Sequence, residues 1–134
     1  MFLRGLNKEE KSAFYALAKQ LAFADQIYDR SEEMLMGQFL DEMDLTEDEI
    51  EVMTANAAIE IFESSSLEVR KQVYIELLGL SLADNNLAED EEKALKAIAE
   101  GFGLSEETAD KLAKCVDELF AVYQKIGELI AEQE

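Results

Sequence analysis

Apolar residues recur at helical spacing along nearly the whole chain. Phe14, Leu17, Ala18 and Leu21 share one face of a first helix. Asn7 and Glu10 open it with the spacing of a capping box, and the pattern runs to Ala24. A second helix follows Asp29 and turns Leu35, Phe39 and Leu40 inward. Thr46 and Glu49 form another capping box, which predicts a third helix with Ile50, Met53, Ala57 and Ile61 as its stripe. A polar break at 64–66 precedes a fourth helix, with Ser65 and Glu68 as its box. The segment VYIELLGLSLA is apolar on nearly every side, as expected of a central buried helix. Gly79 within it suits the close approach of a neighbouring helix. A fifth helix runs from about Glu89 and stops at Gly103, which takes the left-handed stop readily. Ser105 caps a sixth that continues almost to the end. The apolar arm Phe2, Leu3 and Leu6 fits either the chain's own core or another subunit.

Composition agrees with this pattern. The 134 residues include no proline, and 49% are hydrophobic. A chain of this length suits one domain with a real core. Ala, Leu, Glu, Lys, Gln and Met, which lose little on entering a helix, are abundant. The expectation is an all-α single domain over 1–134.

Shifting the chain by 59 positions, the difference between Asp25 and Asp84, aligns it with itself without a gap. Residues 15–49 fall on 74–108: Tyr15 meets Tyr74, Ala24-Asp25 meets Ala83-Asp84, and Glu32-Glu33 meets Glu91-Glu92. The punctuation coincides as well. Asp44 meets Gly103, both tolerant of a left-handed stop, and Thr46 meets Ser105, both N-caps. The architecture expected is about six helices, arranged as two three-helix units related by a pseudo-twofold axis in one bundle. The halves are roughly 7–63 and 66–132.

Charge narrows the function classes. Twelve basic residues face thirty-one acidic ones, a net charge of −19. Such a chain cannot neutralise phosphates, so no nucleic acid is expected as a partner. Anionic membranes repel it, and no segment is apolar enough to span a bilayer. Cations and basic protein surfaces remain. The start MFLRGLNKEEK lacks the features of a signal peptide, and a cytoplasmic protein is expected. With no histidine and one cysteine, zinc sites and Ser-His or Cys-His nucleophiles are set aside. Cys115 shares a stripe with Leu112, Leu119 and Val122 and is expected to be buried. Any chemistry falls to carboxylates.

The repeated element places Asp and, seven residues later, Glu: Asp25 with Glu32, and Asp84 with Glu91. Capping by Asp29 explains Glu32, because acids suit the first turn of a helix. Two features escape that explanation. Asp25 and Asp84 both end an apolar helix, where the dipole disfavours a carboxylate by about 0.3–1 kcal/mol. The second turn has Ala88 at its cap position, so Glu91 has no capping side chain to pair with. A hard cation, Ca²⁺ or Mg²⁺, would account for both, with Asp25, Glu32, Asp84 and Glu91 as metal ligands. The turns are not EF-hands: Glu89 and Leu95, or Arg30 and Met36, stand where Gly and Glu are required.

An apolar helix ending in Ala-Asp, an apolar residue three positions on (Tyr28 or Leu87), then Glu-Glu opening a helix: this pattern resembles the tellurite-resistance TerB-like family. The resemblance spans roughly residues 7–130. Members often carry Gly just after the Asp, where this chain has Gln26 and Asn85. It implies a small all-helical bacterial protein, a metal-associated acidic site at the four carboxylates, and a stress-response or scaffolding role. A non-enzymatic protein is therefore expected, binding a divalent cation through its paired turns. The alternative is a metal-independent acidic module that binds a basic partner, with DEMDLTEDEIE (41–51) as a candidate surface.

Overall fold

Helix α1, Lys8–Ala22, begins as its cap dictates. The Asn7 side chain accepts from the Glu10 N–H at 2.8 Å, and the Glu10 carboxylate accepts from the Asn7 N–H at 2.9 Å. The computed structural model describes residues 1–24, 30–82 and 89–133, with residues 30–32 as backbone only. Their regular structure is helical, with no strand: α1 is followed by α2 Arg30–Met43, α3 Ala55–Glu63, α4 Leu67–Leu82, α5 Glu89–Gly101 and α6 Glu106–Ala131. Single 3-10 turns lie at Leu3–Gly5 and Glu47–Glu49. The expected all-α class holds.

The core forms around α1, which touches α2, α3, α4 and α5. Phe14, Leu17, Ala18 and Leu21 on its inner face are fully buried. Each large apolar side chain removed from water in this way contributes about 1.5–3 kcal/mol. The Phe14 ring meets Phe39 of α2 edge-on, centroids 5.0 Å apart, and Phe62 of α3 meets Phe102 at 5.3 Å. Helix α4 buries Val73, Tyr74, Leu77, Leu78, Leu80 and Ser81 and packs on α1, α5 and α6. The most enclosed helix is thus α1, with α4 beside it. The N-terminal arm packs on its own chain: Leu3 is fully buried, Leu6 nearly so, and the first turn lies against α2.

The 59-residue spacing has physical counterparts. Asp44 and Gly103 both take positive φ, 58° and 72°. In each case the next N–H reaches back five residues, Leu45 to the Leu40 carbonyl at 3.1 Å and Leu104 to the Ala99 carbonyl at 2.9 Å. That closure satisfies helix-end carbonyls that would otherwise lack a partner. A second pair was not evident from the sequence. Lys11 Nζ donates to the Met43 carbonyl at 2.9 Å, and Arg70 Nη1 donates to the Phe102 carbonyl at 2.6 Å. Both donors and both acceptors are 59 positions apart. A cation on α1 thus closes the end of α2, and its counterpart on α4 closes the end of α5, each against the negative pole of a helix.

Four expectations are corrected. The Thr46–Glu49 box forms, but it opens only one 3-10 turn. The Glu51 N–H donates to Ser12 Oγ at 3.0 Å, drawing the chain out of helix, and α3 starts later with Thr54 as its cap. Ala58 and Phe62 are its fully buried residues, while Ile50, Met53 and Ile61 of the expected stripe pack against the core half-buried. The cap of α4 shifts by one residue: Ser66 Oγ accepts from the Val69 N–H, while the Ser65 hydroxyl donates to the Glu10 carboxylate. Close approach occurs at Gly101, where a Cβ would stand 2.6 Å from Ile59 Cγ2, whereas at Gly79 it would meet nothing within 4 Å. Cys115 is exposed, because α6 turns Val116 rather than Cys115 to the body.

Candidate functional site

The two acidic segments lie in sequence between α1 and α2 and between α4 and α5. Asp25 and Asp84 lie outside the described residues, as do Tyr28, Leu87 and the cap positions Asp29 and Ala88. Glu32 lies in the first turn of α2, with its side chain outside the description. Glu91 is the one predicted ligand whose side chain is described.

Glu91 differs from its neighbours. Glu89, Asp90 and Glu92 are exposed at the head of α5, but Glu91 is only 4% exposed. The cause is helical register: Glu91, Leu95, Ile98 and Phe102 follow one another at four, three and four residues, the core stripe of α5. An α-helix turns such positions to one side. In α2 the buried residues Met36, Phe39 and Met43 keep the same spacing, and Glu32 stands four positions before Met36. Both predicted glutamates therefore occupy the head of a core stripe. Burying a carboxylate is costly unless charge or hydrogen bonds compensate it. The N-terminal turn of a helix supplies part of that compensation. On the solvent side, Glu89 pairs with Lys93 at 3.5 Å, but both are largely exposed, so the pair contributes little.

Ser81, three positions before Asp84 in the sequence, is 2% exposed, and its Oγ has no hydrogen-bond partner among the described residues. Carboxylate and hydroxyl oxygens are the hard donors that Ca²⁺ and Mg²⁺ accept, so the donor chemistry fits such an ion. No group of three or more Asp, Glu, Cys or His side chains is placed to share a metal among the described residues.

A different acidic cluster, missed in the sequence, holds the N-terminus. The Met1 ammonium pairs with Glu42 at 2.5 Å and with Glu76 at 2.9 Å. The Phe2 N–H donates to Glu76 at 3.0 Å and the Leu3 N–H to Glu42 at 2.7 Å. Burial works against the ammonium charge, but hydrogen bonds to the two glutamates and their negative charge outweigh it and raise its pKa. Burial also opposes the Glu42 charge, and the ammonium and the Leu3 N–H still hold that carboxyl below its ordinary range. These contacts tie the arm to α2 and α4.

No protein-family model matches the sequence, and no curated protein matches it. Solved structures do match by shape. A tellurite resistance protein from Nostoc punctiforme superposes with a TM-score of 0.70 at 22% identity, over 96% of this chain and 84% of that one. The chain has a TerB-like fold. A protein of unknown function from Porphyromonas gingivalis superposes with a TM-score of 0.64 and 20% identity, over 84% of this chain and 90% of that one. The resemblance drawn from the acidic motif is thus matched at the level of fold.

Within this TerB-like fold the run 41–51 is mostly solvated. Asp41, Asp44, Glu47, Asp48, Glu49 and Glu51 are exposed, while Glu42 belongs to the N-terminal clasp. Hydrogen bonds from the Thr46 N–H and hydroxyl hold the Glu49 carboxyl below its usual range. No helix among the described residues is long and apolar enough to cross a membrane.

Proposed function

We propose that this chain is a non-enzymatic protein of TerB-like fold that binds a divalent cation through its paired acidic turns. Asp25, Glu32, Asp84 and Glu91 are the ligand carboxylates, and Ca²⁺ or Mg²⁺ is the ion. The observation that carries the proposal is the placement of Glu91, a carboxylate turned inward at the head of the α5 core stripe while the acids around it face water. Glu32 stands at the matching register position of α2. An ion between the turns would add the counter-charge that inward carboxylates favour. The family resemblance supports a role in a cytoplasmic stress response or in scaffolding, and the fold shared with a tellurite resistance protein agrees with it.

Thermal unfolding tests the proposal. An ion that binds only the folded chain stabilises it by mass action, by about 2.7 kcal/mol at a hundredfold excess over Kd. The melting temperature of the full chain should rise with Ca²⁺ or Mg²⁺ and return with chelator. The Asp84→Asn/Glu91→Gln variant should show neither change. An equal rise in that variant would place the ion elsewhere.

A second reading rests on the six exposed acids of 41–51. They suit a basic protein partner without any metal. Salt-sensitive capture of a Lys/Arg-rich peptide in the presence of chelator, lost on neutralising Glu47, Asp48 and Glu51, would favour it over the cation.

A further inference from the structure

Helix α6 is 26 residues long, and only its first half is covered. Ala109, Leu112 and Val116 lie on the body. The same series then continues through Leu119, Tyr123, Ile126 and Ile130, still alternating three and four residues, the spacing of a seam between two packed helices. From Leu119 onward this seam is open: Tyr123 is 57% exposed and Ile130 79%. Val122 and Leu129, beside it, are also more than half exposed. We propose that this face is the homodimer interface, closed by α6 of a second copy packed antiparallel.

Three features select a second copy. The first is size. Leu119, Val122, Tyr123, Ile126, Leu129 and Ile130 leave on the order of 600 Å² of apolar surface in water, the upper range for the largest patch on a monomer. Two such faces together reach about 1,200 Å², where stable interfaces begin.

The second feature is self-complementarity. Antiparallel pairing sets Leu119 opposite Ile130 of the second copy and Tyr123 opposite its Ile126, so every seam residue meets another seam residue. On one flank Phe120 then faces Gly127, where a Cβ would meet nothing within 4 Å. Phe120 is half-buried against its own core, and the missing Cβ at Gly127 leaves room for the edge of its ring that stays exposed. On the other flank Val122 faces Leu129.

The third feature is charge. In a chain with thirty-one acidic residues, LFAVYQKIG (119–127) has none. The seam is flanked by Phe120, Val122, Gly127 and Leu129, where an interface with a basic helix would place acids. Antiparallel pairing also keeps the two acidic bodies at opposite ends of the helix pair, where salt screens them. Gly79 belongs to the same surface. It lines a groove of about 320 Å³ with Phe39, Leu80, Leu119, Phe120 and Tyr123. In the paired arrangement the far end of the second copy's α6 reaches the level of this groove.

Sedimentation equilibrium on the full chain tests the proposal. A concentration-dependent dimer is expected, and it should strengthen as salt is added, because salt screens the acidic bodies but not an apolar seam. Tyr123→Glu/Ile126→Glu should be monomeric with unchanged helicity, and its melting temperature should no longer rise with protein concentration as that of the dimer does. Direction is read by oxidation in a Cys115→Ser background, where Tyr123→Cys protein should crosslink to Ile126→Cys protein and neither should crosslink to itself. A chain still monomeric at ~1 mM, a dimer untouched by Tyr123→Glu/Ile126→Glu, or self-crosslinking of Tyr123→Cys would each overturn it.

Discussion

Asp44 and Gly103 do the same structural work with different residues, so exchanging them should move stability in opposite directions. Both end a helix at positive φ, 58° and 72°. Left-handed backbone costs an L-residue about 1–2 kcal/mol, with Asp at the lower end. Asp44 also sets a carboxylate at the negative pole of α2, a further cost of about 0.3–1 kcal/mol. Against this, glycine loses about 0.5–1 kcal/mol through the greater freedom of the unfolded chain. Asp44→Gly should therefore stabilise by about 0.5–1.5 kcal/mol, raising Tm by about 2–6 °C for a domain of this size. Gly103→Ala forces the reverse and brings a Cβ to 3.4 Å from Arg70 Nη1, the donor that closes α5 on the Phe102 carbonyl. It should destabilise by about 1–2 kcal/mol. Urea unfolding followed by far-UV circular dichroism measures both, provided the slope with denaturant is unchanged. A loss of stability in Asp44→Gly, or a gain in Gly103→Ala, would refute the equivalence of the two stops.

Other expectations follow from single contacts. Gly101→Ala sets a Cβ against Ile59, whose branched side chain is stiff at χ1, and should lower stability by about 1–3 kcal/mol by urea unfolding. Phe62→Ala empties a fully buried site and breaks the contact with Phe102, for a loss of about 3–5 kcal/mol by the same measurement. The N-terminal clasp makes a signed pH dependence. The Glu42 pKa is lowered on folding, so its contribution holds above the unfolded carboxyl value of about 4.3 and fades as pH falls through the folded value. The ammonium pKa is raised, so its contribution is complete below its unfolded value near 8 and is lost as pH rises through the folded value. Glu42→Gln should flatten both limbs of the stability–pH curve, by less than about 1 kcal/mol because the ammonium end is largely exposed.

Much of the fold was legible because local signals agree with global packing. Asn7, Ser105 and Gly103 each mark a helix end by their own chemistry, and each end lies where that chemistry put it. Where the structure departs from the sequence pattern, distant partners are the cause. Nothing near Glu51 announces that Ser12, on another helix, will take its N–H. Nor does the sequence near Gly101 reveal that Ile59 lies against it. Cys115 was misplaced because α6 carries apolar residues both toward the body and away from it, so its stripe has two solutions. The candidate site was legible in part. The repeat marks Glu91, and its register with Leu95 and Ile98, four and seven residues on, already places it on the core stripe of α5. The Lys11 and Arg70 pair lay within the 59-residue spacing but outside the aligned segment, and only the structure connects each to its carbonyl.

The proposed site holds one divalent cation between its paired acidic segments, and calorimetric titration of the full chain with Ca²⁺, Mg²⁺ and Mn²⁺ reads that binding without an intermediary. Saturable binding of one ion per chain is expected, abolished in Asp84→Asn/Glu91→Gln. No binding at ~1 mM metal, or undiminished binding by the variant, would contradict it.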